Sequence, residues 1–274
     1  MRVGAGDLQL GLVVSWNQSS VLPLEDIARM RAEPFFLRAI GLNFAIADGL
    51  FANSMAQNNA MNESDVAARV LARLAAASEN PRAIKRNLPS GADIAGSPLL
   101  AHPLRRGHCP PVTDGAVAMV LASGDWVRAH PEKRPLARIA GAAWGVDRYQ
   151  LDADRLQGFK IFDAALQDVL SRSGLQSVDE LDLVEFEAQT AWVDLALSKA
   201  FKAGSKLSFN PSGGAWAQNP YFCTGLVNAA EAVLQVSGRA GPHQIKGAKR
   251  ALAHSSSGFA QQTHGFVVFE GVNA

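Results

Sequence analysis

At 274 residues with a formal net charge of +1, the chain offers no electrostatic case for binding nucleic acid or an anionic membrane surface. Apolar residues make up 48% and charged residues 19%, a balance that describes a globular protein with a large core rather than a disordered one. Two cysteines cannot build a disulfide framework, so the cytoplasm is the expected compartment, and no apolar run approaches the length that spans a bilayer.

The first residues do not read as a signal peptide. Instead Leu8–Val14 is a short apolar run that reads as a buried strand. Pro23 with Glu25 and Asp26 opens a short helix. Leu37, Ile40, Phe44, Ala47 and Phe51 recur at three-to-four spacing and predict an amphipathic helix within 36–60. Asn62 to Asp65 supply capping chemistry for a second helix that carries Val66, Val70, Leu71 and Leu74. Six prolines in 80–113 predict a long excursion without regular structure, the kind of loop that is functional or an interaction surface. Asp114–Leu121 enters a strand, 124–130 reads as a short helix, and Pro131 and Pro135 mark a domain boundary. From there the pattern alternates: strand 136–143, helix 158–173, strand 182–187, helix 190–202, loop 208–221, helix 222–237, and strands 248–254 and 264–270. Strands alternating with helices imply a layered α/β sheet.

One loop carries the most specific pattern. Asn210-Pro211-Ser212-Gly213-Gly214 leads to Gln218-Asn219-Pro220 and then Cys223-Thr224-Gly225. This resembles the thiolase superfamily, in which Asn-x-x-Gly-Gly runs into Gly-His-Pro and a glycine-opened helix. Asp114–Leu121 is similar to the strand closing the first half of such proteins. Leu181–Glu187 is similar to the lead-in to their Val-Glu-x-His/Asn-x-Ala-Phe motif, and Glu231–Gly241 to the helix and turn after the His-Pro loop. Ala251-Leu252-Ala253-His254-Ser255 resembles the lipid-transfer (sterol-carrier-protein-x) branch rather than the Cys-x-Gly of degradative thiolases. The resemblance implies a layered α/β/α fold in two parts. Residues 1–133 would be the remainder of an N-terminal half, with an inserted region at about 17–113, and 134–274 a complete C-terminal half. It also implies that the segment carrying the nucleophilic cysteine lies upstream of Met1.

Thiolase chemistry needs a thiolate, an acid and a base, and donors for oxyanions. Neither cysteine fits the nucleophile: Cys109 sits in the proline-rich excursion and Cys223 within the His-Pro loop, and both read as small buried hydrophobes. Asn219 replaces the histidine; an amide cannot act as a base but can donate to a thioester carbonyl. At the Ala-Phe motif the chain reads Glu187-Ala188-Gln189-Thr190, where Glu187 is either a base or a solvated strand end. His254 matches the last catalytic position, with a hydrogen-bonded strand-end histidine as the equal alternative. Asn210, Gly213 and Gly214, with Ser255 and Gly258, are candidates to bring backbone N–H groups against a coenzyme A thioester, or else simply form tight turns. Arg82, Lys85 and Arg86, and Arg105 and Arg106, form two basic patches that the resemblance places near coenzyme A phosphates, although a solvated loop face is the commoner meaning.

Three functions follow. The first is a catalytically degenerate, acyl-CoA-binding subunit that acts as a homo- or hetero-oligomer with another thiolase-like or accessory chain. The second is retro-aldol cleavage of a 3-hydroxyacyl-CoA by Glu187 and His254, which needs no covalent cysteine. The third is a product truncated from a longer thiolase-like gene. No phosphate loop, metal-ligand spacing or dinucleotide fingerprint is present, so neither metal nor redox cofactor is expected.

Overall fold

The computed structural model describes residues 2–58, 61–85 and 87–272. In chain order the elements are β1 (Leu10–Gln18), α1 (Leu24–Arg31), α2 (Phe44–Asn58), α3 (Glu63–Ser78), α4 (Gly91–Ala95), β2 (Leu99–Ala101), β3 (Leu104–Arg105), β4 (Asp114–Ala122) and α5 (Gly124–Ala129). The second part holds β5 (Ala137–Val146), α6 (Ala153–Gln157), α7 (Lys160–Arg172), β6 (Leu183–Phe186), α8 (Ala191–Ala200), β7 (Ser208–Phe209), α9 (Thr224–Val236), β8 (Arg250–Ser257) and β9 (Thr263–Gly271).

The expected alternation is present from β5 onward. Five strands form one sheet in the order β5-β9-β8-β6-β7, with β6 parallel to both β7 and β8 and the β8-β9 and β9-β5 pairs antiparallel. Side chains on a strand alternate between faces, and the two faces here meet different helices. Val184, Phe186 and Leu252 join a cluster with Phe162, Leu166 and Val169 of α7. Leu183, Ala251 and Ala253 join a second cluster with Ala229, Ala232 and Val233 of α9. The sheet is therefore sandwiched between α7 and α9, a layered α/β/α arrangement as the sequence predicts.

The first part departs from expectation in three places. The apolar run of β1 pairs antiparallel with β4 over nine positions, Leu10↔Ala122 to Gln18↔Asp114, but it is not buried. Leu12 is 69% exposed, Trp16 72% and Val120 71%, so one face of this two-stranded ribbon lies open. The predicted helix over 36–60 starts only at Phe44. Glu33 caps the turn before it, its carboxylate accepting from the Phe35 and Phe36 N–H groups at 2.9 and 2.8 Å, and Asn43 Oδ1 accepts from the Ile46 N–H at 2.9 Å. Competing side-chain acceptors thus break a pattern that spacing alone would continue; its last two positions, 59 and 60, lie outside the described residues. The 80–113 excursion is also not structureless. Ser90 and Asp93 form a reciprocal capping box that starts α4, and β2 pairs with β3.

The two parts share a core. Phe51 and Met55 of α2 and Val70 and Leu74 of α3 belong to the same buried cluster as Phe186, Trp192 and Leu197. A buried ion pair clamps the same junction: Arg73 of α3 meets Asp194 of α8 through Nε–Oδ2 at 2.8 Å and Nη2–Oδ1 at 2.9 Å.

Candidate functional site

Because β6 and β8 run parallel, with Phe186 opposite His254, their C-terminal ends emerge side by side. Ligands in α/β sheets bind outside the carboxyl ends of parallel strands, and here a cavity of about 350 Å³ opens at that edge. Glu187 and Gln189 enter it from the end of β6, Ser255 to Ser257 from the end of β8, and Gly258 and Gln261 from the following turn. The first turn of α9 supplies Gly225 and Leu226, the preceding loop Tyr221 and Phe222, and the far wall Ser15, Arg31, Phe44 and Asp48.

Gly225 is required by packing. A Cβ there would lie 2.3 Å from Ser255 Cβ, so only glycine lets α9 close onto β8 and bring its N-terminal end to the cavity. That end is the positive pole of the helix, with the Leu226 and Val227 N–H groups donating to the Cys223 carbonyl at 3.0 and 3.2 Å.

Glu187 is 6% exposed. Its Oε1 accepts from Gln189 Nε2 at 3.0 Å and its Oε2 from the Ser256 backbone N–H at 3.2 Å. Burial outweighs these two bonds and pushes the carboxyl up to about 7. Asp48, which also lines the cavity, is half-buried on α2 and is likewise pushed up to about 7 by desolvation. Tyr221 lies between them electrostatically; burial, with both carboxylates nearby, holds its phenol neutral.

Asn219 is buried behind this wall rather than in it. Its Nδ2 donates to Gln189 Oε1 at 2.9 Å, its Oδ1 accepts from Gln189 Nε2 at 3.2 Å and from the Thr224 hydroxyl at 2.8 Å, and its N–H donates to Thr113 Oγ1. The amide expected to reach a thioester carbonyl instead orients Gln189, which orients Glu187.

His254 does not line the cavity. It shares the strand face of Leu252, two positions earlier, and so points into the α7 layer, while Ser255 takes the α9 face. There it is 1% exposed, its Nε2 lies 3.0 Å from His264 Nδ1, and Phe162 packs edge-on against it. Burial first, and His264 second, lower its pKa well below the usual range, so the imidazole is neutral in the core.

The remaining predicted residues divide. Ser255 and Gly258 line the cavity. Asn210, Gly213 and Gly214 shape the loop instead. Asn210, at φ 49°, accepts from the Phe186 N–H at 2.6 Å and donates to its carbonyl at 3.1 Å, extending the end of β6 as a strand neighbour would. Gly213, at φ 90°, passes so close to α3 that a Cβ would meet Ala77 Cα at 2.6 Å. Of the basic patches, Arg82 pairs with buried Glu231 at 2.7 Å and Arg105 with Glu63 at 3.0 Å, while Arg86 lies outside the described residues. Neither cysteine lines the cavity. Cys223 is 1% exposed, and burial pushes the Cys109 thiol up to about 12. Asp48 was missed in the sequence, although it left a signal: it is the one charged residue in the Phe44–Asn58 helix. Among the described residues no group of His, Cys, Asp and Glu is arranged to hold a metal ion.

Residues 159–270 match the sequence model of the thiolase C-terminal domain-like family. The whole chain superposes on an Ltp2-ChsH2(DUF35) aldolase with a TM-score of 0.76 at 19% identity, covering 100% of this chain and 75% of that one. The chain is thiolase-like. It is also similar in fold to human mitochondrial 3-ketoacyl-CoA thiolase, with a TM-score of 0.74 at 19% identity over 99% of this chain and 74% of that one. In sequence it is 29% identical over 202 residues to acetyl-CoA acetyltransferase of Methanothermobacter thermautotrophicus, covering 66% of this chain and 52% of the relative. It is 28% identical over 169 residues to sterol carrier protein 2 of Gallus gallus, covering 54% of this chain and 31% of the relative. The thiolase-like chain thus spans about half the length of the first of these relatives and under a third of the second. No helix among the described residues is long and apolar enough to cross a membrane.

Proposed function

We propose that this thiolase-like chain holds the acyl end of a coenzyme A thioester in the cavity at the ends of β6 and β8. There it cleaves the C2–C3 bond of a 3-hydroxyacyl thioester without a covalent intermediate. One observation carries this reading: Glu187, poised to exchange a proton near neutral pH, faces a cavity that no cysteine lines. A thiolase step begins with thiolate attack, and no cysteine among the described residues lines this cavity. A retro-aldol step needs only a base for the 3-hydroxyl and stabilisation of the departing thioester enolate. Glu187 is the base. The N-terminal turn of α9, facing the cavity through Gly225 and Leu226, supplies positive potential for the enolate oxygen. The likeness to the Ltp2-ChsH2(DUF35) aldolase supports the same reaction class and assembly with an accessory chain.

The reading replaces the expected pairing of Glu187 with His254, since the latter is buried in the α7 layer. The test is incubation of the purified protein with 3-hydroxyacyl-CoA thioesters, following release of an aldehyde or ketone together with the shortened acyl-CoA. Cleavage should appear in the native chain and fall by about 10²-fold or more in Glu187→Gln, the usual contribution of a general base. Acyl-CoA binding by calorimetry with no cleavage would return the chain to the role of a binding subunit. Absence of both would remove the thioester from the cavity altogether.

A further inference from the structure

The cavity holds a second carboxyl group that the reading above leaves unused. Asp48 stands on α2 and lines the same cavity as Glu187, and the two differ in what surrounds them. Both oxygens of Glu187 accept hydrogen bonds, from Gln189 and from the Ser256 N–H, and such donors favour the ionised form. Asp48 accepts no hydrogen bond and has no ion pair among the described residues. Its helix is otherwise uncharged, in the sequence Phe-Ala-Ile-Ala-Asp-Gly-Leu-Phe. The groups around it are Phe44 and Tyr221 on the cavity wall, with neutral Cys109 within electrostatic reach. Arg31, the cation on the same wall, stacks over Phe222 at 5.3 Å. One carboxyl is therefore built to accept a proton and the other to carry one.

The geometry points to Asp48 as the second catalytic group, the acid that delivers a proton to C2 of the thioester enolate. The assignment rests on the retro-aldol reading and completes it. Glu187 takes the proton of the 3-hydroxyl, and the C3–O bond becomes a carbonyl. The C2–C3 electron pair moves to C2 as an enolate, and the Asp48 proton forms the new C2–H bond. The products are an aldehyde or ketone and the shortened acyl thioester; Glu187 ends protonated and Asp48 ionised. Solvent entering the open cavity resets both. Charge and proton count balance with no oxidant or further reactant. The two carboxyl groups titrate close to the same pH, so the required pair of protonation states is well populated near neutrality.

The last step can be tested separately from cleavage, because its reverse is removal of a C2 proton from a simple acyl thioester. Butyryl-CoA in D₂O, followed by mass spectrometry, reports that exchange. The native chain should exchange the C2 hydrogens, with the rate rising through a single ionisation. Asp48→Asn should lose about 10²-fold or more of the exchange, and Asp48→Glu should retain a measurable part. Butyryl-CoA binding by calorimetry checks that Asp48→Asn still holds the ligand. Native-like exchange in Asp48→Asn, or no exchange by the native chain, would each overturn the assignment. Exchange without any cleavage of 3-hydroxyacyl-CoA would instead sink the retro-aldol reading and leave Asp48 as the C2 proton carrier.

Discussion

Replacing Glu187 by Gln should change how stability depends on pH, and the change can be sized from the structure. In the unfolded chain a glutamate titrates near 4.5, whereas burial carries Glu187 up to about 7 in the fold. The sign follows from proton counts. Between those values the folded protein binds a proton at Glu187 that the unfolded chain has lost, so stability falls as pH rises. The loss begins near pH 4.5, is complete above about 7, and at ~1.4 kcal/mol per pH step amounts to about 3 kcal/mol. Glu187→Gln cannot titrate and should not show this loss. It does carry a separate, pH-independent cost of about 1–3 kcal/mol, since one of the two donors, Gln189 or the Ser256 N–H, then meets an amide N–H instead of an oxygen. Guanidinium denaturation of both proteins at pH 5 and pH 8 isolates the titration, because the fixed cost cancels in the difference. Other buried carboxyl groups, among them Glu185, which burial pushes up to about 8, are common to both proteins and cancel too. The native chain should lose about 3 kcal/mol more than the variant between the two pH values. Parallel losses, equal to within about 1 kcal/mol, would refute the claim that Glu187 is a desolvated group poised near neutrality.

Two further outcomes follow. Gly225→Ala should destabilise the fold by about 1–3 kcal/mol in thermal or chemical denaturation and weaken acyl-CoA binding, because its Cβ would press 2.3 Å from Ser255 Cβ and push α9 off β8. At pH 8 the folded protein should resist alkylation by iodoacetamide and form no acyl adduct with acyl-CoA by intact mass spectrometry. Cys109 is held to about 12 and Cys223 is buried, and stoichiometric labelling of either without unfolding would contradict both placements.

The fold was legible where one periodicity ran without competition. The longer strands and helices from 136 to 271 follow from apolar spacing, while α6 and β7 fall outside the predicted elements, and the loop after Asn210 carries the family pattern in its own residues. Spacing failed where side chains compete for backbone donors. Glu33 and Asn43 delay α2 to Phe44, and Ser90 with Asp93 nucleates a short helix inside what reads as a loop. β1 shows a different limit, since an apolar run states what a strand is made of and not whether anything covers it. Among the residues lining the cavity, Glu187, Ser255 and Gly258 are ones the motif singles out. His254 was displaced by strand parity, a one-residue matter that decides which layer a side chain enters. Asp48 escaped because it belongs to the cavity only through tertiary packing: 139 positions separate it from Glu187, and no local pattern links them.

The shared core has a consequence for where this chain can be cut. The family match begins at residue 159, yet β5 (Ala137–Val146) hydrogen-bonds along the whole of β9 and would be left behind by a fragment starting there. The same fragment would bring Trp192, Leu197 and Phe186 into water on the side that α2 and α3 cover, and would strand Asp194 without Arg73. The unit that recurs in evolution and the unit that folds by itself therefore have different borders in this molecule. A soluble fragment would have to keep the helices of the first part or replace the apolar surface they hide.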